Sequence, residues 1–177
     1  MGLRVYLAGP DVFRPNAAEH GRQLVALCAE YGFAGVFPLD ESLAGGLAPR
    51  AAAARIYRAN LAHIDACDAV LANLDFFRGP EPDSGTCFEI GYATARGKPV
   101  IGYVREDGSF AERIRLRYPQ AVRDGLADAA GWQLEEFGLP LNLMLGVPCR
   151  IVVGDLRVAL DVLSRSGSGA ASASPGR

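Results

Sequence analysis

Short apolar runs alternate with helix-length segments along most of this chain, and no other feature limits its fold as much. The predicted strands are residues 3–8, 34–39, 69–74, 99–104 and 150–153. Apolar strands separated by helices are typical of a parallel sheet that is buried on both faces and connected by right-handed crossovers. We therefore predict an α/β fold, a doubly wound parallel sheet of about five strands flanked by helices.

Helical segments fill the connections between these strands. The predicted helices are residues 15–31, 49–66, 87–96 and 155–163, and residues 105–137 are predicted to be partly helical without definable bounds. Gly32 and Gly97 follow two of these helices, at the position where glycine commonly ends a helix. The last residues, RSGSGAASASPGR, are of low complexity. We predict a single domain over residues 1–164 and a disordered tail over residues 165–177.

The charge and hydropathy patterns exclude several classes of partner. The sequence has 18 Lys and Arg against 20 Asp and Glu, and no basic cluster interleaved with aromatic residues that would follow a nucleic-acid backbone. It has no run of about 18 apolar residues, and its N-terminus enters an apolar strand without a secretory signal. We expect a cytoplasmic protein that binds neither nucleic acid nor membrane.

The residues that usually bind metals are few and scattered. They are Cys28, Cys67, Cys87, Cys149, His20 and His63. No CxxC pair occurs, whereas metal sites usually bring such ligands together at short spacings. We expect buried free thiols, no metal and no other cofactor.

The carboxyl ends of parallel strands form the crevice in which open α/β sheets bind ligands. The residues predicted there are Gly9, Pro10, Asp11, Pro38, Leu39, Asp40, Asp75 and Tyr103, with the loop that leads to Asp83. The first loop reads AGPDVF and lacks the GxGxxG pattern of dinucleotide-binding proteins. A smaller ligand is therefore favoured.

Two carboxylates, Asp83 and Glu89, lie six residues apart where a loop meets a predicted helix. A structural interpretation is a capping box, with Thr86 as N-cap and Glu89 reaching back to its backbone NH. A catalytic interpretation is also consistent with the position of Glu89 near the start of the predicted helix. The helix dipole would keep Glu89 ionised in the first turn, and an ionised carboxylate can act as a nucleophile. Asp83 is then either the acid–base of a two-carboxylate glycosyl transfer or a simple turn residue.

Three other polar residues lie on elements that should face the core. Tyr6 is in the middle of the first strand, and a buried tyrosine hydroxyl usually finds a hydrogen-bond partner, for which Glu89 is a candidate. Asn60 lies on an apolar helix face and needs a partner from the backbone or from a ligand. His63 lies beside that face and is interpreted as structural.

Taken together, these segments resemble the nucleoside 2-deoxyribosyltransferase family. The matching pieces, in chain order, are YLAGP at residues 6–10 with Phe13, FPLD at 37–40, Asn60 with IDACD at 64–68, ANLD at 72–75 with FRG at 77–79, DSGT at 83–86, EIGYA at 89–93 and GKPV at 97–100. The resemblance extends from residue 3 to about residue 145. It implies a flavodoxin-like fold, a part in nucleotide salvage, and base exchange on 2′-deoxynucleosides with free nucleobases, without metal or organic cofactor.

The resemblance also assigns roles. Glu89 would be the nucleophile that attacks C1′ and forms a covalent deoxyribosyl-enzyme, Tyr6 would orient it, and Asp83 would shuttle a proton to and from the base. Asn60 would help to hold that base, in a pocket lined by Gly9 and Phe13. Asp75, Ser84 and Gly85 complete the predicted substrate-binding set.

The resemblance further implies a homo-oligomer, because an Asn from a neighbouring subunit binds the 5′-hydroxyl group in this family. Asn142 is the candidate for that role. Relatives usually have Asp-Asn at this point, whereas this chain has Leu141 before Asn142.

Two alternatives stay open at the level of sequence. One is a 2′-deoxynucleoside 5′-monophosphate N-glycosidase of the same fold, in which Ser84, Gly85 and Thr86 would hold a phosphate at a helix N-terminus. Asn142, and the negative charge of Asp83, favour a free 5′-hydroxyl group instead. The other is a nucleotide-binding module without catalysis, which would not require Tyr6 and the two carboxylates together.

Overall fold

The computed structural model describes residues 2–39, 46–123, 125–128 and 130–170 of the chain. Its five strands form one parallel sheet in the order β2-β1-β3-β4-β5. The strands are β1 (Arg4–Ala8), β2 (Ala34–Val36), β3 (Ala69–Asn73), β4 (Val100–Val104) and β5 (Arg150–Val153). This order is the doubly wound, flavodoxin-like arrangement, so the predicted fold class is confirmed.

Position in the sheet explains how each strand is buried. Every residue of the inner strands β3 and β4 is buried, as expected for strands covered on both faces. The edge strands β2 and β5 are partly exposed. Strand β2 ends at Val36 and not at the predicted Leu39, because Pro38 has no NH group to donate to a ladder and Leu39 instead donates to the Phe37 carbonyl.

The described residues form six α-helices. They are α1 (Ala17–Glu30), α2 (Pro49–Ala66), α3 (Ser84–Ala95), α4 (Phe110–Arg117), α5 (Leu143–Gly146) and α6 (Leu156–Ala170). Of these, α1, α2, α3 and α6 contact the sheet. Helix α2 has the bounds predicted from the sequence. Helix α4 and a 3-10 turn at Pro119–Ala121 lie in the segment 105–137, whose helix bounds were not predicted, and α5 lies between that segment and β5, where no helix was predicted.

The prediction of a disordered tail from residue 165 is wrong for its first part, because α6 continues to Ala170. The buried face of α6 carries Leu160 and Leu163, which anchor the helix, and a helix that is already nucleated gains one backbone hydrogen bond for each residue that extends it. The hydroxyl of Ser166 also donates to the Val162 carbonyl at 2.9 Å. Residues 171–177 lie outside the described residues.

The sheet separates two apolar layers. One layer joins α1 and α6 to the sheet through Cys28, Leu71 and Leu160, and the other joins α2 and α3 through Ile64 and Ile90. Tyr6 belongs to the second layer, which places its side chain on the α2 and α3 side. The four cysteines are free thiols, and Cys87 is partly exposed while the other three are buried. Within the described ranges, no helix is long and apolar enough to cross a membrane.

Candidate active site

A cavity of about 370 Å³ opens at the carboxyl ends of β1 and β2, on the α2 and α3 side of the sheet. The strand order of the sheet reverses between β1 and β3, next to the carboxyl end of β1, and doubly wound sheets bind ligands at such a point. The described lining residues are Gly9, Val12, Phe13, Phe37, Pro38, Leu39, Ile56, Asn60, His63, Asp83, Gly85, Thr86 and Glu89.

Glu89 has one carboxylate oxygen held by the protein and one left open. The hydroxyl of Tyr6 donates to Glu89 Oε1 at 2.6 Å, and Asn60 Nδ2 donates to the same oxygen at 3.3 Å. Oε2 accepts no hydrogen bond from the described residues. Because Tyr6 is fully buried on β1 and Asn60 lies on α2, two different elements fix the carboxylate that α3 carries.

The surroundings of Glu89 raise its pKa above the usual value for a glutamate. Burial is the largest cause and raises the pKa; the hydrogen bonds from Tyr6 and Asn60 lower it, and the charge of Asp83 raises it again. Burial, with the adjacent Glu89, also raises the pKa of the Tyr6 hydroxyl, so Tyr6 stays protonated and acts as the donor. The two hydrogen bonds therefore partly offset the cost of ionising Glu89 in this cavity.

The capping box that was one interpretation of Thr86 and Glu89 does not form, because α3 begins earlier than predicted. Asp83 is the N-cap, and its Oδ2 accepts hydrogen bonds from Thr86 N at 2.8 Å and from Thr86 Oγ1 at 2.9 Å. Glu89 therefore lies in the second turn of α3 and makes no cap. The argument that the first-turn dipole keeps Glu89 ionised is also wrong, since that effect falls off within the first turn. A capping box does occur in α4, between Ser109 and Glu112.

Asp83, like Glu89, has one carboxylate oxygen that the protein binds and one that is left open. Its Oδ2 caps α3, whereas Oδ1 accepts no hydrogen bond from the part of the chain that the structure describes. The residue is partly buried and lines the cavity that Glu89 also lines. Two carboxylates, each with one fixed and one open oxygen, thus face one ligand-sized space.

The structure brings most of the predicted binding residues to this cavity, but not all of them. Gly9, Phe13, Asn60 and Gly85 line it. Ser84 is exposed on the first turn of α3 and is not part of the described lining. Asp40 lies outside the described residues.

Asp75 is placed elsewhere, which corrects its assignment to the cavity wall. Its carboxylate accepts a hydrogen bond from Arg105 N at 2.8 Å and forms an ion pair with Arg105 Nε at 3.1 Å.

Asn142 also lies away from the cavity of its own chain. It caps α5 by accepting from Met144 N at 2.9 Å, and its amide donates to Glu135 at 2.8 Å. Its role in a neighbouring subunit's site stays a prediction.

Several lining residues were missed by sequence reasoning. Val12, Phe37 and Ile56 were not assigned to the site, Thr86 was named only as a phosphate-binding residue of the alternative hydrolase, and His63 was interpreted as structural although it lines the cavity. His63 follows Asn60 by three residues, and residues at this spacing lie on neighbouring positions of one helix face. That spacing was the signal that could have identified His63.

A buried carboxylate, Asp11, fixes the backbone of the segment that carries the cavity residue Phe13. This residue lies in a 3-10 turn at Pro10–Phe13 and is only 6% exposed. Its oxygens accept from Asn73 Nδ2 at 2.8 Å and from Arg14 Nε at 2.7 Å, and His20 Nε2 lies 3.1 Å away. Burial alone would raise the pKa of Asp11, but these polar and charged neighbours lower it below the usual value. The turn is thereby tied to β3 and α1.

Comparison with known proteins gives two kinds of match. A model of the nucleoside 2-deoxyribosyltransferase family matches residues 5–144. An uncharacterised protein of Schizosaccharomyces pombe is 38% identical over 128 residues, which cover 69% of this chain and 59% of the yeast protein. The match thus spans less than two thirds of that relative's length.

Two solved structures are similar in fold. A 2-deoxyribosyltransferase from Leishmania mexicana has 30% sequence identity and a TM-score of 0.72, with 92% of this chain and 97% of that chain covered. A conserved protein from Enterococcus faecalis has 21% identity and a TM-score of 0.57, with 93% and 99% covered. The second likeness is one of fold alone.

Proposed function

This chain belongs to the nucleoside 2-deoxyribosyltransferase family, and from that premise we propose that it moves the 2-deoxyribosyl group of a 2′-deoxynucleoside from one nucleobase to another. The observation that supports this most directly is the Glu89 carboxylate, whose Oε1 is held by Tyr6 and Asn60 while Oε2 accepts no hydrogen bond from the described residues. Such a carboxylate suits attack on a sugar carbon because its position is fixed and one oxygen stays available.

The first displacement breaks the glycosidic bond. Glu89 Oε2 attacks C1′, the C1′–N bond breaks, and its electron pair leaves with the base, which takes a proton from the acid form of Asp83 and leaves Asp83 as a carboxylate. The product is a deoxyribosyl ester of Glu89 and a free nucleobase. A deoxyribose lacks the electron-withdrawing 2′-hydroxyl group, so its oxocarbenium-like transition state is comparatively accessible.

The second displacement reverses these events with a different base. A nitrogen of the incoming base attacks C1′, the ester C–O bond breaks, and its electron pair returns to the Glu89 carboxylate while Asp83 takes the proton of the base. Two displacements at one carbon retain the configuration at C1′. Transfer to a base and not to water requires a site that limits solvent while the ester exists.

The charge of the cavity favours a nucleoside over a nucleotide substrate. Its lining, as far as the structure describes it, contains no Lys or Arg but includes the carboxylates Asp83 and Glu89. A 5′-phosphate group bound there would meet negative charge without a cation to offset it. This argument weighs against the nucleoside monophosphate N-glycosidase alternative.

Incubation with thymidine and free adenine tests the proposal. Formation of deoxyadenosine and thymine is the expected result, and the new nucleoside should have the β configuration. Release of free deoxyribose without deoxyadenosine would instead identify a hydrolase. If neither product forms with these substrates or with other pairs of deoxynucleoside and base, the enzymatic proposal is wrong.

Replacement of Tyr6 by Phe tests how Glu89 is held. The variant removes the donated hydrogen bond, so the pKa of Glu89 should rise further and the acid limb of the pH profile of kcat/KM should move to higher pH. We expect kcat/KM to fall about 10- to 100-fold near neutral pH, because a hydrogen bond to a charged group contributes roughly 1.5–3 kcal/mol.

The Tyr92→Phe variant is the matched control for Tyr6. It removes a tyrosine hydrogen bond to another carboxylate, Asp65, which lies outside the cavity lining. Its pH profile should equal that of the wild type. A Tyr6→Phe variant whose activity falls by the same factor at every pH would contradict the assigned role of the hydroxyl group.

We also propose that the protein is a homo-oligomer in which Asn142 reaches the cavity of a neighbouring subunit. Asn142 is the N-cap of α5, on which Met144 is 73% exposed, and Val147, next to the end of that helix, is 72% exposed. Exposed apolar side chains that lie together are typical of an interaction surface. Sedimentation velocity should show a dimer or larger assembly, and a fully active monomer would contradict this arrangement.

A further inference from the structure

The segment after β3 is folded into a tight and strained loop. Phe77 N donates to the carbonyl of Glu81 at 2.8 Å, which closes the loop. Arg78 has φ 58°, in the left-handed region, and it is the one residue other than glycine with a positive φ among the described residues. Such a conformation is unfavourable for a side chain with a Cβ atom and persists where surrounding contacts hold it.

The contacts that hold Arg78 are aromatic. The rings of Phe13 and Phe77 are stacked, with centroids 5.4 Å apart and planes inclined by 15°. The Arg78 guanidinium lies 4.6 Å from the Phe77 centroid and 5.1 Å from the Phe13 centroid. Both distances suit a cation–π interaction, and the ring geometry suits offset stacking. The left-handed conformation thus coincides with a guanidinium that contacts both rings.

Phe13 connects this arrangement to the candidate active site. Its ring lines the cavity, and the residue is 54% exposed although it is apolar. The 3-10 turn anchored by Asp11 fixes the backbone of Phe13, but that anchor does not reach the ring itself. The contacts with Phe77 and Arg78 restrain the ring.

We propose that Phe77 and Arg78 are positioning residues that hold the Phe13 ring as a flat wall against which the nucleobase stacks. The inference rests on the proposed function, because it requires a nucleobase in the cavity. A restrained ring loses less conformational freedom when a base binds than a mobile ring would. Because a two-ring base overlaps the wall over a larger area, Phe77 and Arg78 favour purines over pyrimidines.

Three variants distinguish a role of Phe77 and Arg78 in positioning the Phe13 ring from a role in maintaining the structure of the loop. Arg78→Gly removes the guanidinium but places the residue best suited to a positive φ in the loop, so its Tm should not fall. Phe77→Leu removes the ring and retains an apolar side chain. Arg78→Lys keeps a cation that can contact the rings and should recover part of the lost affinity. Arg115→Ala, at an exposed arginine of α4, is the control for loss of a positive charge.

The readout is binding of deoxyadenosine and thymidine by calorimetry, followed by KM and kcat for base exchange. We expect Arg78→Gly and Phe77→Leu to raise Kd and KM for deoxyadenosine about three- to tenfold, with kcat within about twofold of the wild type. The loss should be smaller for thymidine. Unchanged affinity in both variants, or an equal loss for the two nucleosides, would overturn the inference.

The same measurements keep this inference separate from the proposed function. Base exchange by the wild type tests the function, whereas nucleoside affinity tests the wall even if no exchange occurs. An active wild type whose affinity does not depend on Phe77 and Arg78 would overturn the inference alone. A wild type that binds deoxyadenosine through these residues without exchanging bases would overturn the proposed function alone.

Discussion

Replacing Glu89 by Gln is expected to abolish base exchange and, at neutral pH, to raise the melting temperature of the protein. Gln retains an oxygen that can accept the hydrogen bonds from Tyr6 and Asn60, but it supplies no carboxylate to attack C1′. Loss of a covalent nucleophile typically costs far more than a positioning contact, so kcat should fall by about 1,000-fold or more. Product assays on thymidine and adenine, with single-turnover detection of the deoxyribosyl ester, measure this loss.

The gain in stability follows from the raised pKa of Glu89. An unfolded glutamate has a pKa of about 4.3, and the folded protein raises it, so folding favours the protonated form. As the pH rises from the unfolded pKa through the folded pKa, the wild type loses the stability that this preference contributes. Gln has no proton to lose. Wild type and E89Q should therefore differ little below pH 4, and the variant should melt at the higher temperature at pH 7.

Glu19→Gln is the control for this prediction, because Glu19 is exposed on α1 and does not line the cavity. Its activity should match the wild type. Turnover by E89Q within tenfold of the wild type would show that another group is the nucleophile. An E89Q variant that melts below the wild type at pH 7 would show that ionised Glu89 does not destabilise the fold.

Replacing Asp83 by Asn should lower kcat about 100- to 10,000-fold with little change in stability. The range is that of a general acid–base group, because Asn cannot carry the proton between the departing and the incoming base. Asn is also as good an N-cap as Asp, so α3 should keep its first turn. Chemical denaturation should give the same midpoint for Asp83→Asn and the wild type, whereas Asp83→Ala should lose about 1 kcal/mol as well as activity.

A matched control for Asp83 exists at the start of α6. The side chain of Asp155 accepts from Arg157 N at 2.9 Å, in the same kind of contact at a helix start, and it does not line the cavity. Asp155→Asn should leave kcat unchanged. If Asp83→Asn retained wild-type turnover, Asp83 would be a capping residue only, and the proton would have to travel through another group or through water.

Much of the fold could be predicted because it depends on apolar periodicity. Strands such as β3 are buried on both faces and appear in the sequence as uninterrupted apolar runs, and Pro49 marks the start of α2. The start of α3 was predicted wrongly because its sequence offers two overlapping caps. Asp83 and Thr86 are both good N-cap residues, and only the spatial contacts show that Asp83 takes the role.

The candidate site was harder to predict than the fold, since its walls come from segments distant in sequence. The contact between Tyr6 and Glu89 joins residues 83 positions apart, yet it was anticipated because a buried hydroxyl group needs a partner. The apolar wall at Phe37 and Ile56 was missed because apolar residues beside a strand or on a helix are normally core residues. Asp75 was misplaced because the sequence does not show its ion pair with Arg105.

The division of the core by the sheet has a practical consequence for engineering. The cavity lies on the α2 and α3 side, so the apolar layer under α1 and α6 is where heat resistance can be increased with the least effect on substrate choice. Gly21 is the position on α1 to leave alone, because an added Cβ atom would come within 2.3 Å of the Phe37 ring, which lines the cavity. A mutant library confined to this layer, with Gly21 unchanged, would allow thermal stability and base preference to be optimised independently.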